Sequence, residues 1–278
     1  VRVLRWMGED VRAFIHSEEN APLARDVGAE AAIGDFGDTD SLDRAMQGVD
    51  RVLILTPSTT MRQVEWERNI TDAAKRAGVG FIVKHSLIGA SPYCPVSFFR
   101  QHWESEKYIE ESGIPFVFVR PTTFMQNLLH QAKSIAEEGR IYGAIGDGRI
   151  SFIATRDLAR VEAIALYQED GHEGRVYEVT GPEALSYAEV AERVSKAAGR
   201  RVEYVNLAPD EYRTRLLSQG TPEKRANDYA VYQQYLSEGR GSWVSPWTEH
   251  VTGKKPTSYE QFAQDHAAAF AGEVLKVA

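Results

Sequence analysis

Short apolar segments rich in β-branched residues alternate with longer helical patterns through the first 121 residues of the chain. The segments RVLILT, at 51–56, and FVFVR, at 116–120, are apolar almost without interruption. Such runs are typical of strands that helices cover on both faces, as in a parallel sheet. The alternation therefore predicts an α/β fold built on a doubly wound, Rossmann-like parallel sheet.

Five segments carry the strand pattern, at residues 11–16, 31–33, 51–56, 81–86 and 116–120. Helical patterns are expected between them, at residues 41–47, 61–77 and 96–111. Gly48, Gly78 and Gly113 follow these helices at the positions where glycine caps a helix C-terminus. The first segment has the character of the second strand of a dinucleotide-binding sheet. We therefore expect the first strand and its glycine-rich loop to precede it outside this sequence.

The second half of the chain has a different rhythm, in which short strands and helices follow one another irregularly. We expect a long amphipathic helix at 122–138, an irregular glycine-containing segment at 141–153 and a helix at 157–167. Residues 1–121 are predicted to form the dinucleotide-binding domain, without its first strand and glycine-rich loop. Residues 122–278 are predicted to form mainly a smaller α+β substrate-binding lobe, tightly coupled to that domain.

The composition argues against several classes of function. The formal net charge is -8, which disfavours a nucleic-acid-binding surface. Cys94 is the only cysteine, so we expect neither an intrachain disulfide nor a cysteine-based zinc cluster, and no metal site is predicted. No apolar run has the length of a membrane span and no signal-peptide pattern is present, which favours a cytoplasmic protein. Trp243 and Trp247 suggest a lid or the interface of a homodimer.

Ligands of open α/β sheets bind outside the carboxyl ends of the strands. The residues that follow the predicted strands are therefore the candidates for holding a dinucleotide. They are His16, Ser17, Asp35, Phe36, Thr56, Pro57, Ser58, His85, Ser86, Leu87, Pro121 and Thr122. His16 can hydrogen-bond the 2′-phosphate of NADP, whereas Glu18 opposes it, and a solvated turn is the alternative interpretation of this segment.

His102 and Glu106 lie four residues apart in the helical pattern at 96–111 and therefore share one helical face. Two interpretations stay open: the pair orients a proton donor beside a hydride acceptor, or it is a surface pair. The segment GAIGDGR, at 143–149, has neither the GxGxxG nor the Walker spacing. We interpret it as a turn between the two parts of the chain.

Several stretches, in this order, resemble a known family: GDFGDTDSLDRAMQGVDRVLILTP, NITDAAKRAGVGFIVKHSLIGAS, HWESEKYIEESGIPFVFVRPTTFMQNLL, GDGRISFIATRDLARVEAIAL and VYEVTGPEALSYAEVAERVSKAAGRRVEY. Together they resemble the NmrA-like branch of the atypical short-chain dehydrogenase/reductases, and within it the NAD(P)H:quinone reductases and triphenylmethane dye reductases. The resemblance runs from Val3 to Phe270. It implies a nicotinamide cofactor, NADP by preference or NAD, in the N-terminal sheet and a substrate cleft under the C-terminal part.

The resemblance also implies roles for individual residues. Those that the family pattern maps onto are Asp35 and Phe36 at the adenine, Thr56 and Pro57 below the pyrophosphate and ribose, Ser86 near the nicotinamide, His102 and Glu106 on the active-site helix, and residues 120–127 beside the nicotinamide and substrate. The chain departs from the pattern at His16, where NADP-using members have arginine, and this leaves the choice between NADP and NAD open. It also lacks a Tyr-x-x-x-Lys pair on the active-site helix, which disfavours alcohol–carbonyl chemistry.

The expected function is NAD(P)H-dependent hydride transfer to a quinone, a dye or a similar electron-poor small molecule, with His102, Glu106 and Ser86 as catalytic residues. The predicted substrate-side residues are Tyr93, Trp103, Phe124, Asn127 and Tyr142. The alternative is a non-catalytic NAD(P)-binding redox sensor of the NmrA type, which regulates a partner. A third interpretation, isoflavone-reductase-like double-bond reduction, expects a catalytic lysine on the active-site helix, and Lys107 is poorly placed for it.

Overall fold

The computed structural model describes residues 1–57, 62–167 and 171–273. Its strands are β1 (Arg12–Ile15), β2 (Glu30–Ile33), β3 (Arg51–Ile54), β4 (Phe81–His85), β5 (Phe116–Pro121), β6 (Arg140–Gly143), β7 (Arg175–Val179) and β8 (Glu203–Asn206). Its α-helices are α1 (Arg2–Trp6), α2 (Ala21–Arg25), α3 (Thr39–Met46), α4 (Gln63–Ala77), α5 (Ser97–Ser112), α6 (Ala132–Glu138), α7 (Thr155–Tyr167), α8 (Tyr187–Ala198), α9 (Pro209–Ser218), α10 (Glu223–Tyr235), α11 (Trp247–Thr252), α12 (Tyr259–Asp265) and α13 (Ala267–Ala271).

The predicted parallel α/β fold is confirmed. Strand β1 pairs in parallel with β2, β3 with β4, β4 with β5, and β6 with β8. The larger sheet has the strand order β3-β4-β5-β7. Its inner strands are buried, β4 along residues 81–84 and β5 along residues 117–119, and the burial of β5 agrees with the apolar segment FVFVR in the sequence. The five strand segments predicted for the first 121 residues are β1 to β5.

The chain divides into two compact units. Unit 1 comprises Val1–Cys94, Phe98–Arg120 and Ala159–Tyr177, and unit 2 comprises Pro95–Ser97, Pro121–Leu158 and Glu178–Ala278. Unit 1 has a core made by α3, α4 and the larger sheet, with Leu42, Ile70, Ile82 and Phe118 among its buried side chains. Unit 2 has its own core, which includes Ile141, Phe152, Val190, Tyr259 and Phe262. The functional assignment of residues 1–121 and 122–278 to two domains stays a prediction.

Helix ends follow the signals in the sequence. Gly48, Gly78 and Gly113 all adopt left-handed backbone conformations, with φ of 69°, 75° and 77°, which glycine tolerates best. Helix α8 begins with a complete capping box, in which Ser186 accepts from the backbone of Glu189 and the Glu189 carboxylate accepts from the backbone of Ser186. The glycine caps and the capping box therefore mark where these helices end or begin.

The long helix predicted at 122–138 is wrong. The chain forms a 3-10 helix over Met125–Gln131, and only Ala132–Glu138 is α-helical. The side chain of Gln131 bonds both backbone groups of Tyr142, at 2.8 and 3.0 Å, and Phe124 forms a parallel bridge with Ile153. These long-range bonds hold the segment before α6 out of a regular helix. The segment at 141–153, predicted to be irregular, begins with the last residues of β6.

Strands β1 and β3 belong to two separate ladders, so each has one edge without a strand partner in the described part of the chain. A cavity of about 1620 Å³ within unit 1 is lined by residues of both strands, from Arg12 to Phe14 and from Arg51 to Ile54. The five predicted strands thus form two ladders rather than one. The strand expected ahead of β1 stays a prediction.

No helix among the described residues is both long enough and apolar enough to cross a lipid bilayer.

Candidate active site

The carboxyl ends of β1 and β2 bring three predicted cofactor residues together. His16 Nδ1 lies 3.4 Å from a carboxylate oxygen of Asp35, and the side chains are 79% and 46% exposed. The ring of Phe36 lies 5.3 Å from that of Phe14 and 5.7 Å from that of Trp66. A carboxylate and a partly buried aromatic ring therefore share one turn.

Two close contacts fix the shape of this turn. A Cβ at Gly34 would come within 2.6 Å of the Phe14 ring, so the backbone can pack against that ring only without a side chain. Asp35 accepts a 2.6 Å hydrogen bond from the backbone of Gly37, and the backbone oxygen of Phe36 accepts from Asn69. Ser17 occupies the N-cap position of the short 3-10 helix that follows β1, without a capping hydrogen bond from its side chain. The GDFG sequence is thus a turn whose shape is defined by these contacts and hydrogen bonds.

The end of β3 contributes a buried polar contact. Thr56 donates a 2.5 Å hydrogen bond to the Glu67 carboxylate on α4. Pro57 is exposed, and Ser58 lies outside the described residues. Thr56 therefore links the end of this strand to the polar network beneath it.

A buried ion pair lies under the strand ends. Lys84 Nζ is 2.8 Å from Glu67 Oε1, and the two side chains are 0% and 1% exposed. Successive side chains of a strand point to opposite faces, so Lys84 points from β4 toward α4 and α5 while His85 points away from them. Lys84 Nζ also donates to the backbone oxygen of His85. The ion pair thus holds the carboxyl end of β4 in place.

His102 belongs to the same network. Its Nδ1 lies 3.2 Å from Lys84 Nζ, and its Nε2 lies 3.2 Å from the side-chain amide of Gln63. An ammonium can only donate, so Nδ1 accepts from Lys84, and the amide nitrogen of Gln63 lies 3.3 Å from Nδ1 and 3.2 Å from Nε2. The pKa of His102 lies well below its ordinary value of 6.5, because burial disfavours the charged ring and Lys84 repels it. His102 is therefore a neutral imidazole.

This neutral histidine predicts a pH dependence of stability. Below about pH 6.5 His102 takes up a proton in the unfolded chain but not in the folded protein. The free energy of unfolding therefore decreases as the pH is lowered. The slope from this group is about 1.4 kcal/mol per pH unit until the pH reaches the lowered folded pKa. His102→Asn removes this term. When the pH is lowered from about 7.5 to 5.5, the wild type is expected to lose about 1.4 kcal/mol of unfolding free energy relative to the variant.

Urea unfolding of both proteins at a series of pH values measures this difference. His172, whose pKa burial also lowers, adds a term of the same sign to both proteins and cancels in the comparison. Parallel curves for the two proteins would contradict a neutral His102.

Glu106 has a different partner from His102, although both lie on α5. Its carboxylate accepts a 2.8 Å hydrogen bond from Arg120 Nε and a second one from Arg120 Nη2, so the two side chains form a bidentate ion pair. Both α5 side chains are buried, at 3% for His102 and 1% for Glu106, so the surface-pair interpretation is wrong. Helix α5 is thus fixed to β4 through His102 and to β5 through Glu106.

His85 forms a second histidine–carboxylate contact. Its Nδ1 lies 2.6 Å from Glu162 Oε1 on α7, and the side chains are 15% and 7% exposed. The next residue, Ser86, donates from its backbone to Val119, but its buried hydroxyl has no protein partner among the described residues. Leu87 is half-buried. The end of β4 therefore presents polar groups on both faces of the sheet.

The remaining predicted residues lie in two environments. In unit 1, Tyr93 is 93% exposed and Trp103 on α5 is half-buried. In unit 2, Pro121 is buried and Thr122 donates its backbone N–H to Val179. Phe124 is half-buried and Asn127 is exposed. Tyr142 is buried under Arg215, whose guanidinium lies 3.5 Å from the ring centroid. The roles assigned to all of these residues stay predictions.

Sequence reasoning missed Lys84, Glu67 and Glu162. The signal for Lys84 was present, because a lysine inside the apolar run FIVKHS must find a buried anion. The identity of that anion was not accessible, since Glu67 is 17 residues away on a different element. Glu162 is 77 residues from His85 and lies within an ordinary amphipathic helix pattern.

Residues 1–262 match the NmrA-like family. The chain belongs to this family. An NAD(P)H azoreductase of Xenophilus azovorans is 37% identical over 270 residues, which are 97% of this chain and 94% of that protein. The solved structure of an Escherichia coli NADPH-dependent quinone oxidoreductase in complex with NADPH has a TM-score of 0.84 at 30% identity, covering 91% of this chain and 89% of that one.

A Citrobacter sp. triphenylmethane reductase complexed with NADP(H) has a TM-score of 0.84 over 96% of this chain and 95% of that one. Its identity is 23%, so this likeness shows the fold alone. The parallel strands with helices on their faces thus agree with those of solved relatives.

The residues of this NmrA-like chain fit a dinucleotide. The strand ends form the edge at which open α/β sheets bind nucleotides. The half-buried ring of Phe36 offers an apolar face, and the neighbouring Asp35 carboxylate offers an acceptor for an amino or hydroxyl group. The buried Ser86 hydroxyl, which lacks a protein partner in the described ranges, is a polar group suited to a ligand.

Proposed function

We propose that this protein is an NAD(P)H-dependent reductase that transfers hydride to a small electron-poor acceptor such as a quinone, an azo compound or a triphenylmethane dye. The observation that carries the proposal is the set of polar and aromatic residues at the strand ends, on a chain that shares its family with an azoreductase and a quinone oxidoreductase. When bound, the dihydronicotinamide supplies the hydride. The protein supplies position and a defined electrostatic environment.

We assign the cofactor-binding roles by position. Asp35 and Phe36 border the adenine, His16 faces the adenosine phosphate, and Thr56 with Pro57 lies below the pyrophosphate and ribose. We place Ser86 beside the nicotinamide, where its hydroxyl finds the partner that residues 1–57, 62–167 and 171–273 do not provide. NADPH is the preferred cofactor in this proposal, and NADH is the alternative.

We assign His102 and Glu106 to the acceptor side of the site. Their contacts with Lys84 and Arg120 support a positioning role, because the pairs hold α5 against the ends of β4 and β5. Acceptors of this class need little acid assistance for the hydride step itself, so exact placement supplies most of the acceleration. Electron-poor acceptors of this class are planar, and the aromatic side chain of Trp103 on α5 is proposed to contact them.

The test measures cofactor oxidation and acceptor reduction together. Purified protein is mixed with NADPH or NADH and, in separate reactions, with a small quinone, an azo dye and a cationic triphenylmethane dye. We expect one cofactor to be oxidised for each quinone or triphenylmethane dye molecule reduced and two for each azo bond cleaved to a pair of amines, with a lower KM for NADPH than for NADH. Fluorescence titration of NADPH in the absence of acceptor measures binding independently of turnover.

The sensor alternative makes a different prediction for the same two measurements. A redox sensor would bind NADPH in the titration and oxidise it with none of the three acceptors. That result would contradict the reductase proposal. A cytoplasmic location, a homodimeric state and the absence of nucleic-acid binding are further parts of the proposal, and gel filtration with a DNA-binding assay tests the last two.

A further inference from the structure

A buried chain of polar contacts connects the ends of two neighbouring strands in unit 1. Glu67 Oε1 accepts a 2.5 Å hydrogen bond from the Thr56 hydroxyl and a 2.8 Å bond from Lys84 Nζ. The side-chain amide of Gln63 lies 3.3 Å from the same oxygen. Lys84 Nζ also donates to the backbone oxygen of His85. We call the contacts from Thr56 through Glu67 to Lys84 the strand-end bridge.

The strand-end bridge continues the connection between β3 and β4 beyond their backbone pairing. The pairing of β3 with β4 ends at Ile54, which lies opposite Lys84. Thr56 is two residues further along the chain, so the backbone pairing of these two strands ends before it. Its hydroxyl reaches Glu67, and Glu67 in turn reaches Lys84 on β4. The position of Thr56 relative to the end of β4 therefore depends on side-chain contacts.

A buried ion pair is suited to fixing a distance. All three side chains of the bridge are buried. An ion pair in such a place is often no more stabilising than apolar side chains of similar volume. Its hydrogen bonds, however, form only over a narrow range of distances and angles, whereas apolar side chains can shift and repack. The bridge therefore specifies one spacing between the two strand ends in addition to filling space.

We propose that Lys84 and Glu67 are positioning residues, which set the spacing of the ends of β3 and β4 for the dinucleotide. This inference rests on the proposed function, in which Thr56 lies below the pyrophosphate and ribose and Ser86 lies beside the nicotinamide. A dinucleotide that spans both strand ends gains its full affinity only when their separation is correct. A fragment that occupies only the adenosine side, at the ends of β1 and β2, does not depend on that separation.

The test compares NADPH with 2′-phospho-AMP, its adenosine half, by calorimetric titration. The double variant Lys84→Met/Glu67→Gln removes both charges and nearly keeps both volumes, so no unpaired charge is left buried. The Kd of the fragment is expected to stay unchanged. The Kd of NADPH is expected to rise by about 10-fold, because the nicotinamide half loses effective concentration at its site. The kcat with a small quinone is expected to fall by about 100-fold, the effect of a misplaced reacting group.

Matched variants control for the number of charges removed and for the role of Thr56. Lys107→Met/Glu110→Gln removes an exposed Lys–Glu pair on α5 and is expected to keep both Kd values and kcat. Thr56→Val removes the hydroxyl that reaches Glu67, whereas Thr56→Ser keeps a hydroxyl. Thr56→Val is expected to weaken NADPH binding in the wild-type background and to add nothing in the double variant, where the bridge is already broken. Thr56→Ser is expected to keep most of the affinity.

The outcomes separate this inference from the proposed function. A wild-type protein that binds neither NADPH nor NADH would overturn both. A double variant with the wild-type Kd for NADPH and the wild-type kcat would overturn the positioning role and leave the reductase standing. Equal losses of affinity for NADPH and for the fragment would indicate a general loss of structure and contradict the proposal. A Thr56→Val effect of the same size in both backgrounds would assign the hydroxyl to the cofactor instead of the bridge.

Discussion

Lys84→Met is expected to lower the free energy of unfolding by about 3–5 kcal/mol, because it leaves the Glu67 carboxylate buried without its counter-ion. The substitution also removes the ammonium donors to His102 and to the backbone of His85. Methionine fills nearly the same volume, so the loss reports charge and hydrogen bonding rather than a cavity. Urea unfolding of the purified variant measures it.

Two further variants test the cause. Adding Glu67→Gln to Lys84→Met removes the unpaired charge and is expected to recover part of the lost stability, and the double-mutant cycle gives the coupling between the two side chains. Lys107→Met on α5 breaks an exposed contact with Glu110 and should change stability by less than about 1 kcal/mol. If the variants at positions 84 and 107 lose equal stability, the buried pair has no special importance.

Gly181→Ala is expected to destabilise the protein by about 3 kcal/mol, the upper part of the range for overpacking. A Cβ at this position would overlap the backbone carbonyl of Phe152. Residue 181 cannot easily move away, because Thr248 donates a 2.7 Å hydrogen bond to the backbone oxygen of Thr180 and Ser245 donates its backbone N–H to the Thr180 hydroxyl. Thermal and urea unfolding measure the effect.

Gly80→Ala is the matched control for this prediction. A Cβ there would meet only the backbone oxygen of Asp50, at an ordinary 3.6 Å, and Gly80 is exposed. The change is expected to be neutral or to stabilise by up to about 1 kcal/mol, since alanine reduces the freedom of the unfolded chain. Equal losses at positions 80 and 181 would contradict the steric explanation.

Several features of the site followed from sequence position alone. Parallel strands end at one edge of a sheet, so the pattern at 31–36 was enough to place Asp35 and Phe36 there. The four-residue spacing of His102 and Glu106 predicted a shared helical face, and both are buried on α5. These inferences hold because they depend on local geometry, which each segment has before it meets any other.

The contacts of those residues did not follow from the sequence. Helical spacing predicts the helix face on which a side chain lies, but not the residues that pack against that face. The different partners of His102 and Glu106 are therefore known only once α4, β4 and β5 are packed against α5. The bonds of Gln131 with Tyr142, which accompany the break in the predicted helix at 122–138, are likewise made by a residue from another element.

The sequence by itself determined the order of the five strands in the first 121 residues, the glycine caps and the edge at which a dinucleotide is expected, because hydrophobic period and backbone preference act within a few residues. Only the tertiary structure decided which buried charges meet. Lys84 pairs with Glu67, and His85 with Glu162, across 17 and 77 residues of chain. The physical reason is that a buried charge must be paired. The alternation of side chains along a strand fixes the face on which each one lies, and the helix that packs on that face supplies its partner.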